Sequence, residues 1–401
     1  MRLAMTLMVR DEADIIEAMI EHHLQQGVDI IIATDNGSVD GTTEILERYA
    51  AAGTVDLRHH PVHDKRQAEM VTRMARDAKT LHDADWVLNA DADEFWVPNN
   101  RSLTLKEAFE NIPVDLHSFT VPVIDMIGAP AAEGSGLDRL IYRDTRPVEE
   151  LNRVGLLAHS THDAAHIGDP EVNVAQGNHY VSLASHGEPD PAFMIEVLHL
   201  PWRSWKQYEH KVRNAGAAYE ISGLTPSPNH HGMRDYRRLL GGSLLSYYLV
   251  RHPSDEEFEA GLADGRFTLD RTVADAGLSG RPDVPFSHEV AQLGRATGRA
   301  LVEQAARIQD LESELASERQ RARDEADALR AEAAEIEAEL SARLEREKKA
   351  ADEHIRSLEA QVQAFHDRKI VKAADWAGAR AREAQREAKK LPGTLKNLRR
   401  R

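Results

Sequence analysis

The chain has 401 residues, no cysteine and a formal net charge of −17. Without cysteine it has no disulfide framework and no thiolate nucleophile, so any metal must be held by Asp, Glu, His or carbonyl oxygens. The acidic balance argues against a nucleic-acid-binding protein. No run approaches the roughly 18 apolar residues of a membrane span, and the apolar start meets Arg10-Asp11-Glu12 without a signal-peptide cleavage site. We therefore expect a cytoplasmic protein.

The first hundred residues alternate between strand-like and helical patterns. Apolar strand-like runs occupy residues 3–9, 28–33, 55–58 and 86–89, and helical spacing occupies residues 14–26, 42–49 and 68–81. This β-α-β-α-β-α-β order predicts an α/β fold with a mostly parallel sheet and helices on its faces. Ligands of such sheets bind at the carboxyl ends of the strands.

Residues 100–295 are less regular. Strand-like pieces occupy residues 118–123, 181–184 and 195–200, and helical patterns occupy residues 205–219 and 236–250. We expect residues 251–295 to form a terminal subdomain or a covering segment.

Three polar clusters each follow a predicted strand directly, at residues 10–12, 34–38 and 91–94. Because the carboxyl ends of parallel strands share one edge of a sheet, we expect these clusters to form one site.

The strongest local signal in this set is Asp91-Ala92-Asp93, which ends an apolar strand and is followed by Glu94 and two aromatic residues. Two carboxylates at a strand end are suited to hold a hard divalent cation through oxygen. Such a cation takes up the charge that develops on a diphosphate leaving group. The alternative interpretation is an acidic turn without function.

A second signal is the run from Asp35 through Asn36, Gly37 and Ser38 to Asp40, which follows a buried strand and opens a helix. Asp35 is placed to accept a hydrogen bond from a base or a ribose. A simple turn with a helix N-cap explains Gly37, Ser38 and Asp40 equally well, but it explains Asp35 less well.

The order of four motifs resembles the family 2 glycosyltransferases. They are Val9-Arg10-Asp11-Glu12, Glu21-His22-His23-Leu24-Gln25-Gln26-Gly27-Val28, Asp35-Asn36-Gly37-Ser38-Val39-Asp40-Gly41-Thr42 and Asp91-Ala92-Asp93-Glu94-Phe95. The chain is especially similar to the family 2-like and family 92-like branch with the D-x-D-E-F ending. Gly177-Asn178-His179-Tyr180 and the run from Leu198 to Tyr208, with Lys211 one turn further on, resemble later motifs of that branch. The resemblance covers about residues 1–250.

This resemblance implies a GT-A fold, a nucleotide-diphosphate sugar as donor and Mn²⁺ or Mg²⁺ under the diphosphate. It implies that Asp35 meets the nucleoside and that Asp91 and Asp93 bracket ribose and metal. One residue departs from the family pattern, because Asp11 stands where the family usually has Asn, and an extra negative charge near a diphosphate is unfavourable. The candidate donor-binding residues are Arg10, Glu12, Asp35, Asn36, Asp91, Arg203 and Lys211.

Two histidines are candidates to complete the metal site of Asp91 and Asp93, namely His179 and His199. Neutral imidazole is a reasonable ligand for Mn²⁺, although an isolated histidine is more often structural or solvated. The histidines at positions 159, 162 and 166 leave two alternatives open, a mobile acceptor loop or a second metal site.

Arg203 and Lys211 are placed to clamp phosphate charge, and the alternative is a surface pair. Trp202 and Trp205 fit either stacking on a sugar or packing in the core. The catalytic base of an inverting transfer is a carboxylate near the acceptor hydroxyl. Asp125, Asp163 and Glu149 are all possible by position, and a retaining mechanism needs none of them.

The last hundred residues differ in character from the rest. No Gly or Pro occurs from residue 299 to 377, and apolar residues recur at seven-residue spacing (Leu301, Ile308, Leu315, Ala322, Leu329 and Ile336). This repeat predicts a left-handed coiled coil that links copies of the chain. Residues 368–401 hold twelve Lys and Arg against three acidic residues, a composition that suits contact with an anionic membrane surface.

We therefore predict a GT-A-type domain at residues 1–295, a coiled coil at 299–367 and a basic helical or disordered tail at 368–401. The expected activity is metal-dependent, inverting sugar transfer to a glycan, lipid or other cell-surface acceptor, as in polysaccharide biosynthesis. The alternative is a non-catalytic scaffold that binds nucleotide-sugars or recruits partners through the coil. Nucleotidyl transfer to a sugar phosphate would want a Gly-rich loop after the first strand, and residues 10–12 offer none.

Overall fold

A computed structural model describes residues 1–61, 67–222 and 231–390. The chain divides into two units, Met1–Ile308 and Gln309–Arg401. The described strands are β1 (Leu3–Val9), β2 (Ile30–Asp35), β3 (Val55–His59), β4 (Trp86–Ala90), β5 (Glu94–Pro98), β6 (Ser118–Val121), β7 (Val123–Ile127), β8 (Ala131–Glu133), β9 (Tyr142–Asp144), β10 (Asp163–Ile167), β11 (Ile195–His199), β12 (Phe267–Leu269) and β13 (Val284–Pro285).

The described helices belong to both units. They are α1 (Ile16–Gln25), α2 (Thr42–Ala51), α3 (Gln67–Thr80), α4 (Leu105–Glu110), α5 (Val148–Arg153), α6 (Trp205–Ser222), α7 (His231–Leu240), α8 (Leu244–Arg251), α9 (Asp255–Asp264), α10 (His288–His366) and α11 (Lys369–Ala388).

The main sheet of the first unit has six strands in the order β3-β2-β1-β4-β10-β6. Strands β3, β2, β1 and β4 are parallel, and β10 is antiparallel to both of its neighbours. The register sets Val9 of β1 beside Asp35 of β2, and Leu7 of β1 beside Ala90 of β4. The segments that follow these three strands therefore emerge at the same edge.

The main sheet is covered on both faces, which explains why its strands β1, β2 and β4 are mostly apolar. In β1, Leu3, Met5 and Leu7 pack into the cluster that includes Ile16 of α1. Ala4 faces the opposite cluster, which includes Met74 of α3. Successive side chains of a strand point to opposite faces, so an uninterrupted apolar run serves two layers of core at once.

A second sheet contains further candidate site residues. Its order is β12-β9-β7-β11-β5, with β11 antiparallel to β5 and parallel to β7. The register pairs His199 of β11 with Glu94 of β5 on one side and with Asp125 of β7 on the other. Strands β8 and β13 form a separate two-stranded sheet.

The predicted α/β class is confirmed, with a sheet that mixes parallel and antiparallel strands. The β-α-β-α-β-α-β order of the first hundred residues is also confirmed. The strand expected at residues 118–123 is divided into β6 and β7 at Pro122, which lacks the N–H that a continuous ladder needs.

Two predicted elements are wrong. Residues 181–184 form no strand, and only an isolated bridge joins Val181 to Val174. The helix expected at residues 236–250 is two helices, α7 and α8, because Gly241 and Gly242 separate them. Gly242 has a φ of +70°, a left-handed conformation that ends a helix at little cost only in glycine.

Helix α10 begins earlier than the predicted coiled coil and runs without a break from His288 to His366. Beyond residue 308, its apolar side chains remain exposed, from 46% for Leu311 to 65% for Leu344. The helix is thus present, and its coiled-coil pairing stays a prediction. Among the helices that the structure describes, none has the length and apolar character that a membrane crossing requires.

Candidate active site

The three polar clusters that follow β1, β2 and β4 lie along one edge of the main sheet, under α6 and the segment that precedes it. Arg10, Glu12, Asp91, Asp93 and Lys211 all line a single cavity of about 200 Å³. The remaining residues of its lining include Met8, Asp11, Gln67, Gln207, His210 and Asn214. Most of these side chains are charged or polar, so the cavity suits a polar ligand.

Asp93 is the most heavily partnered carboxylate of the cavity. Its Oδ2 lies 2.9 Å from Nζ of Lys211, 3.5 Å from Nη1 of Arg203 and 3.8 Å from Nε2 of His199. Burial opposes ionisation of Asp93, but the positive charges of Lys211 and His199 hold its pKa well below the usual range. These partners therefore favour the ionised form of Asp93 at the end of the fourth strand.

His199 joins this carboxylate to the second sheet. Its Nδ1 lies 2.9 Å from Oδ1 of Asp125, which also accepts a hydrogen bond from Oγ of Ser160 at 2.6 Å. Burial opposes protonation of His199, but the carboxylates of Asp125 and Asp93 raise its pKa well above the usual range. The imidazole is thus fixed at Nδ1 and faces Asp93 with Nε2.

Asp91 lies at the other side of the cavity and is less constrained. Its Oδ1 accepts long hydrogen bonds from Gln67 at 3.4 Å and from Asn178 at 3.3 Å. Burial and the charge of Asp93 raise the pKa of Asp91 to about 6. Its Oδ2 accepts no hydrogen bond from a described residue and is therefore available to a ligand.

Arg203 is not placed as the predicted phosphate clamp. Its side chain is completely buried, where the guanidinium contacts Glu12 directly and lies 2.7 Å from Oδ2 of Asp14 and 3.5 Å from Oδ2 of Asp93. A buried cation needs such partners, because an unpaired charge in the interior is very costly. Arg203 therefore holds the acidic residues together beneath the cavity and does not line it.

Lys211 does line the cavity, with a side chain that is 46% exposed. It lies two turns along α6 from the helix start, which Ser204 supports by accepting a hydrogen bond from the backbone N of Gln207. Among the predicted clamp residues, Lys211 is the one whose charge a ligand can reach.

Asp35 and Asn36 stabilise the loop that follows β2. Asp35 accepts hydrogen bonds from the backbone N of Ser38 at 3.0 Å and from Oγ1 of Thr43 at 2.6 Å. The carbonyl oxygen of Asn36 accepts a hydrogen bond from Nη1 of Arg10 at 2.6 Å. Both side chains are nearly fully buried, and neither lines the 200 Å³ cavity as the described residues shape it.

Asp11, the residue that departs from the family pattern, has specific partners. Its Oδ2 lies 2.8 Å from Nε2 of His210 and 3.2 Å from Nδ2 of Asn214, both on α6. Its Oδ1 accepts a hydrogen bond from the backbone N of Val39 at 2.8 Å. Asp11 thus ties α6 to the loop after β2, in a left-handed conformation with a φ of +56° that is uncommon outside glycine.

His179, predicted as a metal ligand, lies against Asp163. Its Nδ1 is 3.2 Å from Oδ1 of Asp163 and 3.1 Å from the carbonyl oxygen of His162. The side chain of His179 is one-third exposed, whereas Asp163 is buried. His179 forms no ion pair with Asp91 or Asp93, so the structure brings His199 to the predicted cation site but not His179.

The other histidines of that loop do not meet at one point. His159 lies near Asp125, with 3.7 Å between Nδ1 and Oδ2, and His166 is buried in β10 with its Nδ1 bonded to a backbone carbonyl. Burial lowers the pKa of His166 to about 4.

Trp202 and Trp205 pack against the apolar cluster around Tyr248. Of the two alternatives for these residues, stacking on a sugar or packing in the core, this placement is packing in the core.

The described residues contain no set of three or more His, Asp or Glu side chains arranged to hold a metal ion by themselves. Two groups have the chemistry of ligands for a divalent cation, the Asp93 carboxylate and Nε2 of His199, which lie 3.8 Å apart. The hydrogen bond of His199 to Asp125 is the arrangement that typically orients a metal-bound histidine. Because the neighbouring carboxylates raise the pKa of His199, a cation would have to displace a proton from Nε2, and it would need further ligands from outside this pair.

Sequence reasoning missed several residues of the site. Four of them reach the cavity or its carboxylates, namely Gln67 from α3, Asn178 from a turn, and Gln207 and His210 from α6. The buried Asp14 was also missed. Only the helical spacing of residues 207, 210, 211 and 214, which places them on neighbouring positions of one helix, offered a signal.

A model of glycosyltransferase family 92 matches residues 5–118, less than a third of the chain. No curated protein is significantly similar in sequence to this chain. The matched range contains the clusters at residues 10–12 and 91–93, which line the cavity, and the loop after β2, which does not.

Similar solved structures include S. aureus TarS, with 14% identity over 66% of this chain and 45% of that chain, at a TM-score of 0.29. TarS 1–349 in complex with UDP-GlcNAc has 12% identity over 77% of this chain and 92% of that chain, at a TM-score of 0.31. Glucosyl-3-phosphoglycerate synthase from Mycobacterium tuberculosis was solved in complex with Mn²⁺, UDP and glucosyl-3-phosphoglycerate. It has 14% identity over 63% of this chain and 81% of that chain, at a TM-score of 0.24. The match spans less than half of the full TarS chain, and similarities this low support no inference about the site.

Proposed function

We propose that this chain is a glycosyltransferase with a GT-A-type domain, which transfers a sugar from a nucleotide-diphosphate donor to an acceptor hydroxyl. The observation that carries the proposal is the common cavity of Asp91, Asp93 and Lys211 at the carboxyl end of a parallel sheet. The family 92 match over residues 5–118 covers the strands that supply its floor. Carboxylates beside a reachable ammonium group suit a ligand that carries both phosphate charge and a counter-ion.

The proposed cation site consists of Asp93 and His199, with Asp91 as the third donor, and Mn²⁺ or Mg²⁺ is the expected ion. When bound, the cation neutralises the charge that develops on the leaving diphosphate. Asp125 fixes the ring of His199, and Lys211 supplies a positive charge from α6 to the phosphate oxygens. His179 is left out of this site because its Nδ1 is turned to Asp163.

The nucleoside is proposed to bind on the side of Arg10, Asp35 and Asn36. Arg10 is a quarter exposed and reaches both the cavity and the loop after β2. Since both oxygens of Asp35 are bonded to residues 38 and 43, its role is to shape the loop that contacts the nucleoside. Glu12 lines the cavity and pairs with Arg203 beneath it, and this ion pair is proposed to keep the acidic cluster compact.

The transfer is proposed to invert the anomeric carbon. The acceptor oxygen attacks that carbon, the bond from the carbon to the diphosphate breaks, and the diphosphate leaves with the electron pair. The acceptor is proposed to be a glycan, lipid or other cell-surface molecule, in a reaction of the polysaccharide-biosynthesis type.

The test is donor hydrolysis and transfer over a panel of UDP-, GDP- and dTDP-sugars, with and without Mn²⁺. The double variant Asp91→Asn/Asp93→Asn is expected to lose metal-dependent turnover, because it removes the two carboxylates of the proposed cation site. The matched control is Asp115→Asn/Asp138→Asn, which changes two exposed carboxylates elsewhere. Turnover equal to the unmodified chain in the Asp91→Asn/Asp93→Asn variant would overturn the proposal.

The alternative, a non-catalytic scaffold, is favoured by the long exposed helix α10. Calorimetric titration of nucleotide diphosphates in the presence of Mn²⁺ separates the two functions. Binding without turnover on any donor favours a nucleotide-sugar-binding scaffold, and absence of binding favours a scaffold that acts through its helix alone.

A second copy of this chain is the proposed partner of α10. The apolar side chains at residues 308, 315, 329 and 336 recur at heptad spacing and are half-exposed, so burying them against an identical stripe would remove them from water.

The tail is proposed to contact anionic membranes, since α11 exposes Ile370 and Trp376 beside its basic residues. Liposome co-sedimentation that is the same with and without residues 368–401 would remove the membrane proposal.

A further inference from the structure

An inverting transfer needs a group that accepts the proton of the acceptor hydroxyl, and sequence reasoning left three carboxylates open for this task. Asp125 is occupied, because it accepts hydrogen bonds from Ser160 and His199 and lies near His159. Burial opposes ionisation of Asp125, but these partners hold its pKa below the usual range. Glu149 lies in the exposed first turn of α5 and does not line the cavity. Asp163 is completely buried, so it cannot contact an acceptor itself.

His179 connects Asp163 to the surface. Its Nδ1 faces two acceptors, Oδ1 of Asp163 and the carbonyl oxygen of His162, and a carbonyl oxygen accepts hydrogen bonds only. Nδ1 must therefore carry a proton, and the neutral ring has its lone pair on Nε2. No described residue forms a hydrogen bond with Nε2, and the side chain is one-third exposed.

The backbone around His179 holds the ring in place. Gly177 has a φ of +81°, and a Cβ built on it would lie 2.8 Å from Nε2 of His179, so the ring packs over a position that only glycine leaves open. Asn178 is also left-handed, with a φ of +65°, and its amide reaches Asp91 at 3.3 Å. Gln176 of the same turn contacts Gln67, which lines the cavity. The turn is therefore built against the Asp91 side of the cavity.

We propose that His179 is the general base of the transfer and that the buried Asp163 is its positioning residue. The inference rests on the proposed glycosyltransferase function and adds the identity of its base. The acceptor oxygen forms its bond to the anomeric carbon while its proton moves to Nε2 of His179. The bond between that carbon and the diphosphate oxygen breaks, and the electron pair leaves with the diphosphate. Asp163 stabilises the imidazolium through Nδ1–H, as a carboxylate does for a catalytic histidine.

The groups around His179 determine how it titrates. Asp163 raises the pKa of His179 above its usual value, partial burial opposes this, and the His162 carbonyl and the Asp91 charge also favour the charged form. The base is active when neutral, so kcat is expected to rise with pH and to level off above the pKa of His179. Asp163→Asn removes the main cause of the raised pKa, and the rising limb of kcat should therefore move to lower pH.

The experiment uses the full chain with the sugar donor that gives turnover in the panel and with small alcohols as acceptors. His179→Ala is expected to lower kcat by about 10² to 10⁴ with little change in the donor KM. Imidazole added in solution should restore part of the turnover, in proportion to its neutral fraction, because it supplies the missing lone pair. His186→Ala is the control, since that histidine is exposed and its Nδ1 bonds the Asp115 carbonyl.

The outcomes separate the two proposals. Donor turnover in His179→Ala that equals the unmodified chain would overturn the base assignment and leave the glycosyltransferase function intact. A second outcome would also overturn the base assignment. In it, imidazole does not restore the lowered kcat of His179→Ala, and Asp163→Asn leaves the rising limb of kcat at the same pH. The contact between His179 and Asp163 would then be structural only. Absence of turnover on every donor in the unmodified chain would remove the proposed function and the base with it.

Discussion

The ammonium group of Lys211 lies 2.9 Å from Oδ2 of Asp93. The same carboxylate oxygen faces Nε2 of His199 at 3.8 Å. In the proposed site, a divalent cation at Asp93 would compete with Lys211 for this oxygen when no diphosphate is present. A bound diphosphate would offer oxygens to both positive groups, so that both would then hold the donor.

The first prediction concerns this competition. Lys211→Met should bind Mn²⁺ more tightly in the absence of nucleotide, because Asp93 loses its strongest competing partner. The same variant should bind a nucleotide diphosphate roughly 10- to 100-fold more weakly, the usual effect of removing one charged hydrogen bond. Calorimetric titration measures both affinities. Lys206→Met is the matched control, because Lys206 lies on the same helix but pairs with the half-exposed Glu133.

The second prediction concerns Asp125, which lies behind the proposed cation site. A cation binds the neutral form of His199, in which Asp125 keeps the single ring proton on Nδ1. In Asp125→Asn, the amide can instead donate to Nδ1, so the proton of the neutral ring can move to Nε2. Nε2 would then be less available to a cation, and Mn²⁺ affinity should fall by about 10- to 100-fold. Titration with Mn²⁺ measures the change, and Asp115→Asn, an exposed carboxylate, serves as control. Equal affinities would show that His199 takes no part in cation binding.

The third prediction concerns acid stability. Burial lowers the pKa of His22 and His166 to about 4 and that of His252 to about 3. In the unfolded chain these groups titrate near 6.5, so between about pH 6.5 and 4 the unfolded state binds protons that the folded state does not. The free energy of unfolding should therefore fall as the pH falls through this window, by about 1.4 kcal/mol per pH unit for each histidine.

Urea unfolding at several pH values between 4.5 and 7.5 measures this slope. His252→Gln keeps a donor for the Gly128 carbonyl, which His252 Nδ1 contacts at 2.9 Å, and should reduce the slope by about one histidine's share. His288→Gln, at an exposed position in the first turn of α10, should leave the slope unchanged. If the free energy of unfolding depends on pH in the same way in the unmodified chain and in His252→Gln, the prediction for His252 is contradicted.

The fourth prediction concerns the exposed stripe of α10. Leu329→Asp places a charge in the proposed seam and should dissociate an oligomer that the unmodified chain forms at micromolar concentration, because a carboxylate loses its hydration on burial. Ala331→Asp adds the same charge about half a turn away, on the opposite side of the helix, and should leave the mass unchanged. Sedimentation velocity on the full chain reads out the mass. A monomeric unmodified chain would remove the coiled-coil proposal.

The order of the first four strands followed from apolar periodicity, because strands that serve two layers of core are mostly apolar. The clusters at residues 10–12 and 91–93 followed from the rule that parallel strands end at one edge. The separation of α7 from α8 could have been predicted from Gly241-Gly242, but the apolar pattern across it suggested one helix.

Other roles depended on the packing of distant segments. Arg203 has the sequence context of a phosphate clamp, yet it is buried against Glu12, a residue 191 positions away. His179 and His199 share the same chemistry, and only their placement against Asp163 and Asp125 distinguishes them.

The amino-acid sequence by itself determined the α/β class, the sheet edge at which the acidic residues gather, and the long helix after the folded domain. These properties depend on local periodicity and on strand direction, which a linear pattern carries. The tertiary structure alone decided which histidine faces which carboxylate. It also decided that the positive side chain of Arg203 is buried and that of Lys211 is exposed. Those relationships join residues many positions apart, and their energies depend on distances and burial that only the packed chain defines.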